Sequence, residues 1–167
     1  VRVEHGVTVL PLSVVASAAG AALTWDGESA AVRLKLAGAV PPQADYDQTD
    51  LYWLSRIISA ESRGEPLLGQ IAVGNVVLNR VNSGQFPNTV KEVVFDRKYG
   101  VQFEPVSNGT IYDRPTDSAV LAAKLCLEGA APVGNSLYFY APALSAGTWI
   151  STSRAYYGTI GCHKFYG

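Results

Sequence analysis

The chain of 167 residues contains no methionine, only two cysteines and two histidines, and few charges of either sign. Each shortage removes a class of function. Methionine is absent even from position 1, so the sequence reads as a processed product or an excised piece, and a missing signal peptide says nothing about export. Cys126 and Cys162 are too few for a disulfide framework and lack CxxC spacing. A buried free thiol at Cys126 and a Cys126–Cys162 bond both stay open. His5 and His163 lie far apart and no H-E-x-x-H occurs, so neither a metal site nor a zinc amidase or protease is expected. A net charge of -1 supplies neither the clustered cations that nucleic acid demands nor a polybasic membrane anchor. No apolar run is long enough to span a bilayer, and no internal repeat stands out. What is present is 48% hydrophobic residues against 16% charged, the balance of a folded globular chain. Its length suits one domain with a sizeable core or one domain plus a small appendage, and its charge is compatible with a neutral or sugar-like ligand.

The pattern predicts an α+β protein in which a short β-α-β appendage precedes a mainly helical domain with a small strand element. Residues 1–36 form the appendage. Val1, Val3, Val7 and Val9 suggest strand around Gly6, and Leu12, Val15, Ala16 and Ala19 have helical spacing stopped by Gly20. Ala22-Leu23-Thr24-Trp25 and Ala31-Val32-Arg33-Leu34 then read as a hairpin with Asp26-Gly27 as turn material. Residues 37–47, with Gly38, Pro41 and Pro42, read as a linker.

From residue 48 to 167 the texture is helical. Thr49 or Asp50 is the expected N-cap of a helix through about Arg63, ended by Gly64 and Pro66. A second helix is expected over 67–82, with Ile71, Val76, Val77 and Leu78 as core candidates, and a short third over 89–95. Residues 97–114 read as loop or short hairpin. Pro115 is expected to open a helix carrying Ala119, Ala122, Ala123 and Leu127, closed by Gly129. The aromatic last third holds at least one strand.

One residue breaks the first helix's pattern. Leu51, Leu54, Ile58 and Glu61 are spaced three, four and three apart, so an apolar stripe runs into a carboxylate. A carboxyl facing a core is costly unless it is paired, protonated or lining a cavity. Partial burial raises its pKa, which suits a proton donor near neutral pH. Spacing alone leaves open that Glu61 turns to solvent at the helix end, or pairs with Arg56, Arg63 or Arg80.

A longer pattern bears on that choice. It comprises Ile57-Ile58-Ser59-Ala60-Glu61-Ser62-Arg63-Gly64-Glu65-Pro66 and Gly69-Gln70-Ile71-Ala72-Val73-Gly74-Asn75-Val76-Val77-Leu78-Asn79-Arg80-Val81. Phe86-Pro87, Gln102-Phe103-Glu104-Pro105-Val106, Gly134-Asn135-Ser136-Leu137-Tyr138-Phe139-Tyr140 and Ile160-Gly161-Cys162-His163-Lys164-Phe165 follow in order. Together they resemble the spore cortex-lytic, or SleB-type, cell wall hydrolase family over about 115 residues. The resemblance implies a lysozyme-like lytic transglycosylase domain with Glu61 as its catalytic glutamate, acting on peptidoglycan between N-acetylmuramic acid and N-acetylglucosamine. It implies an exported, monomeric enzyme of the cell wall or spore cortex that needs no cofactor, with a regulatory protein among its partners. The pattern Leu10-Pro11-Leu12, Val15-Ala16, Ala19-Gly20-Ala21, Thr24-Trp25-Asp26 and Val32-Arg33-Leu34 resembles part of a copper amine oxidase N-terminal-like module. That likeness implies a non-catalytic accessory domain, wall attachment being one role, and His5 alone supplies no copper site.

Within this reading Gln102 offers an amide to sugar hydroxyl or N-acetyl groups, and Phe103 is either a stacking face or core. Glu104 is the carboxylate to watch: facing Glu61 at a glycosidase separation, it would make the enzyme a hydrolytic muramidase instead. Asp96 looks like ordinary loop charge, and Glu65 is expected to orient its loop. Tyr138 and Tyr140 share one face of a strand and either line the cleft or enter the core, with Phe139 in the core. Asn135 is a turn residue or a ligand, His163 is expected to hold a structural hydrogen bond, and Trp149, Tyr156 and Tyr157 are candidates for the groove border. A module that binds the wall without cleaving it is the alternative from another class.

Overall fold

The computed structural model describes residues 2–4, 7–9, 11–27, 31–36, 46–98, 100–145 and 148–167. The chain divides into two compact units, Val1–Ala44 and Asp45–Gly167. Most of the expected linker, residues 37–45, lies outside the described residues, while Tyr46 and Asp47 belong to the second unit.

In the first unit strands β1 (Arg2–Glu4) and β2 (Val7–Val9) pair antiparallel. Helix α1 (Leu12–Ala18) follows and ends before Gly20, whose φ of 64° suits a residue without Cβ. Strands β3 (Ala21–Asp26) and β4 (Ala31–Leu36) form a second antiparallel pair, registered with Leu23 opposite Leu34 and Trp25 opposite Val32. Those four side chains alternate onto one face and are all exposed, Trp25 by 66%. Ala16 is the only buried side chain among this unit's described residues.

The second unit is built on three helices. Helix α2 (Gln48–Ser62) starts at Asp47, whose side chain accepts the backbone N–H groups of Thr49 and Asp50 at 2.8 and 3.0 Å. The cap is therefore neither Thr49 nor Asp50: a capping side chain must precede by two or three residues the amides it satisfies. Leu54, Ile57 and Ile58 of α2 are fully buried. Helix α3 (Leu67–Val81) is the central element, buried over most of its length from Gly69 to Val77. It lets its neighbours approach at Gly74, where a Cβ would sit 2.7 Å from Ile58 Cδ1 and 2.8 Å from Cys126 Sγ. Gly74→Val is accordingly expected to destabilise the protein by about 1–3 kcal/mol through overpacking. A urea midpoint equal to wild type would contradict this close approach.

Short helix α4 (Val90–Val94) is capped by Thr89, which accepts the Glu92 N–H and donates its hydroxyl to the Glu92 carboxylate. The 97–114 segment is not the loop or hairpin expected from its composition. It contains helix α5 (Glu104–Asn108) and a 3-10 turn over Thr110–Tyr112, because Pro105 fits a first helical turn and Gly109 (φ 84°) stops it. Helix α6 (Asp117–Leu127) begins at Thr116, whose hydroxyl accepts the Ala119 N–H, rather than at Pro115. Its Ala119, Ala122, Ala123 and Cys126 pack into the core.

Strands β5 (Tyr138–Tyr140), β6 (Tyr156–Ile160) and β7 (His163–Tyr166) form an antiparallel sheet ordered β5-β7-β6, with helix α7 (Thr148–Ser153) between β5 and β6 in sequence. Phe165 fastens the sheet to α3 by packing on Ala72, Val76 and Val133. Cys126 and Cys162 are both free, one buried and the other exposed, which settles the pairing left open. The architecture is α+β with helices dominant.

Candidate active site

Glu61 occupies the last turn of α2, where the stripe of Leu54 and Ile58 meets the start of the α2–α3 loop. It is half-buried and engages no partner in a hydrogen bond or ion pair among the described residues. Burial pushes its pKa up to about 7; the nearby negative charge of Glu104 raises it further, and the positive charge of Arg80 works against both. Neither the solvent-facing nor the ion-paired alternative describes it: this is a carboxyl held in reserve near neutrality.

The Arg-Gly-Glu-Pro turn that follows is tied to the sheet. Glu65 Oε2 accepts the backbone N–H of Cys162 at 2.9 Å, and the Glu65 carboxylate fills the space a side chain at Gly161 would need. The φ of 57° at Gly161 also calls for glycine, so two independent constraints meet there. Beside this turn His163 is buried, its ring edge-on to Phe139 at 5.2 Å. Its Nδ1 has no hydrogen-bond partner among the described residues, so the expected structural hydrogen bond is not seen there. Burial pulls the imidazole pKa down.

A cleft of about 660 Å³ opens between the loop after α3, the segment before α5 and the C-terminal third. Phe86, Asp96, Lys98 and Gln102 line one part of it; Tyr138, Trp149 and Arg154 line another. The Trp149 ring, 57% exposed, meets Tyr138 edge-on at 5.4 Å, and the Arg154 guanidinium lies 4.6 Å from the Tyr138 ring centre. The cleft thus presents aromatic faces beside amide, carboxylate and cationic groups. Asp96, read from sequence as loop charge, and Arg154, which carried no signal there, both face this space.

The sequence-selected residues do not all gather here. Gln102 and Tyr138 line the cleft. Phe103 is only 3% exposed and serves the core, not a stacking face. Glu104 is exposed at the start of α5 and acts on Glu61 through its charge. Tyr140 is not a lining residue; its ring stacks on Tyr166 at 5.8 Å. Asn135 lies in a separate, smaller pocket with Asn79, Asn82, Ser83 and Leu137. Tyr156 and Tyr157 are exposed without lining the cleft.

Glu61 is itself not among the lining residues; Arg80 connects it to them. The Arg80 side chain is 5% exposed, and its guanidinium carbon lies 4.9 Å from the Phe86 ring, 5.1 Å from Phe103 and 5.6 Å from Tyr138. Its Nε donates to the Leu137 carbonyl at 2.7 Å. Burial lowers its pKa to about 10, against the opposing charges of Tyr138, Asp96 and Glu61. Sequence did hold a signal for it: Val73, Val76, Val77 and Arg80 fall on one helical face, an apolar stripe ending in a charge as at Glu61. Among the described residues no cluster of His, Cys, Asp and Glu of metal-binding size occurs, and no helix is long and apolar enough to cross a membrane.

The Cell Wall Hydrolase family matches over residues 64–166. The chain is 42% identical to a spore cortex-lytic enzyme of Bacillus cereus over 120 residues, 72% of this chain and 45% of that protein. It is 35% identical to the spore cortex-lytic enzyme of Halalkalibacterium halodurans over 140 residues, 84% of this chain and 41% of that one. The chain thus spans less than half the length of these relatives. Among solved structures, the catalytic domain of the germination-specific lytic transglycosylase SleB from Bacillus anthracis superimposes with a TM-score of 0.66 at 41% identity, covering 77% of this chain and all of that domain. The family match begins three residues after Glu61 and does not reach residues 1–36. The match over residues 64–166, together with a fold shared with a SleB catalytic domain, places this chain in the cell wall hydrolase family.

Proposed function

We propose that this chain cleaves the glycan strands of peptidoglycan by lytic transglycosylation, with Glu61 as acid and then base. The observation that carries the reading is the placement of Glu61, half-buried in the last turn of α2 with no hydrogen bond or ion pair among the described residues; burial pushes its pKa up to about 7, so a proton is available near neutral pH. Glu61 gives that proton to the glycosidic oxygen leaving C1 of N-acetylmuramic acid. The oxocarbenium charge left on C1 is captured by the sugar's own groups, which leave C1 again as the C6 oxygen attacks. The Glu61 carboxylate then removes the proton from the C6 hydroxyl, whose oxygen bonds to C1 and closes a 1,6-anhydro ring. No water is consumed and Glu61 ends protonated as it began. The lytic transglycosylase named among the solved relatives supports transglycosylation as the class of reaction.

The cleft supplies the substrate contacts, with Gln102 toward N-acetyl groups and Tyr138 and Trp149 toward sugar faces. The setting is the cell wall or spore cortex, reached by export. The enzyme acts as a monomer, without metal or cofactor, under control of a regulatory protein. Residues 1–36 serve as an accessory module that holds the catalytic unit to the wall.

Mass spectrometry of a muropeptide digest tests the reaction: cleavage ends lighter by one water than a reducing end are expected. A digest containing only reducible ends would favour the second reading, a hydrolytic muramidase. Glu104 motivates that alternative, since its charge already acts on Glu61 and a second carboxylate is what hydrolysis needs.

A further inference from the structure

Arg80 has a placement that packing alone does not account for. Its side chain is nearly sealed from solvent, it forms no ion pair among the described residues, and its Nη1 has no hydrogen-bond partner. Burying a guanidinium in this way is unfavourable, and an apolar side chain of the same length would fill the space at lower cost. One strong hydrogen bond, Nε to the Leu137 carbonyl, and the rings of Phe86, Phe103 and Tyr138 fix the group in place. Two of those rings, Phe86 and Tyr138, form the wall of the cleft.

We propose that Arg80 is the positioning residue of the acid: a clamped, water-excluded positive charge against which Glu61 releases its proton to the leaving oxygen and later recovers one from the C6 hydroxyl. The inference rests on the reading of Glu61 as acid and base. Fixed charges in a dry site need no reorganisation when charge develops, so they act most strongly where water is absent. The charged surroundings are mixed. Glu104, from α5, opposes ionisation of Glu61, whereas Arg80, from α3, favours it. Tyr138 of β5 and Asp96 after α4 face Arg80 from the cleft side and help to hold its charge. Arg80 therefore limits how weak an acid burial and Glu104 make of Glu61, and it stabilises the carboxylate that must act as base in the second half-reaction.

Arg80→Met and Arg80→Lys, assayed on isolated spore cortex across pH, test this. Methionine fits a cage of three rings and removes a buried charge, so the variant is expected to fold. It should lose kcat roughly ten-fold or more with KM nearly unchanged. The basic limb of its pH profile should move above the wild-type position near 7. Lysine keeps the charge, so Arg80→Lys should hold the limb in place and recover part of the rate. Wild-type kcat and limb in Arg80→Met would overturn the proposal. Equal losses in both variants with no movement of the limb would also overturn it, marking Arg80 as packing. Should Arg80→Met not fold, Arg80→Lys decides alone, and a displaced limb in that variant counts against the inference. Glu61→Gln separates the two failures. Full activity there defeats the acid assignment itself, whereas an inactive Glu61→Gln beside an unaltered Arg80→Met defeats only the role of Arg80.

Discussion

Glu61→Gln is expected to lower glycan cleavage by about 10³-fold or more while leaving the fold and the binding of peptidoglycan intact. A positioned general acid or base contributes about 10²–10⁴-fold, and Glu61 is asked to transfer a proton in both half-reactions, which places the loss toward the upper part of that range. Glutamine has the same shape but neither donates a proton of useful acidity nor accepts one. Because Glu61 has no hydrogen bond or ion pair among the described residues, the substitution breaks neither. The measurement is release of muropeptides from isolated cortex, paired with a pelleting assay for binding. Cleavage at the wild-type rate would remove Glu61 from the mechanism. Loss of pelleting together with cleavage would point to a substrate contact instead of proton transfer.

The second large effect is on stability, and its sign follows from the same carboxyl. Burial, then Glu104, raises the folded-state pKa of Glu61 to about 7 from an ordinary value of 4.5. Between those two pH values the folded protein binds a proton that the unfolded chain has already released. Stability contributed by the protonated group is therefore complete below pH 4.5 and is lost as pH rises through about 7. The full loss is at most about 3 kcal/mol at 1.36 kcal/mol per pH unit. Glu61→Gln stays neutral throughout. Its urea midpoint should lack this decline and exceed that of wild type at pH 8, so the variant is more stable and nearly inactive. Parallel midpoint-versus-pH curves for the two proteins would show that Glu61 is not desolvated. Activity should share the limb: above pH 7 the proton needed for the first step is gone, and kcat/KM falls.

Much of this site could be read from the chain. Three of the readable features are local. The i, i+3, i+7 stripe of Leu51, Leu54 and Ile58 announced a helix face and the carboxylate that interrupts it. Gly64 and Pro66 marked where α2 must stop. The short helix expected over 89–95 is α4, Val90–Val94. Each depends on residues within one or two turns, where backbone geometry alone decides who meets whom. The misses are local too where two signals competed. Pro115 and Thr116 both suit a helix start, and the hydroxyl in reach of the Ala119 amide decided it. In 97–114, loop-like composition concealed a helix of five residues, too short for its periodicity to show.

The partners of Glu61 were a different matter. Tyr138 and Tyr140 share a strand face by sequence, yet only Tyr138 reaches the cleft, because the Tyr140 ring is taken up by Tyr166 across the sheet. Phe103 follows the cleft residue Gln102 directly and is core, since Arg80 and Phe139 close over it. Sequence by itself determined the family, the helical face and the position of the carboxylate that interrupts it, all of which are encoded in nearest-neighbour spacing and ordered motifs. Tertiary structure alone decided what surrounds that acid. Glu104 raises its proton affinity and Arg80 lowers it from segments 43 and 19 residues away, and no local rule couples them. Coulomb energy depends on separation and dielectric in three dimensions, and both are set only when α2, α3 and α5 have packed and excluded water.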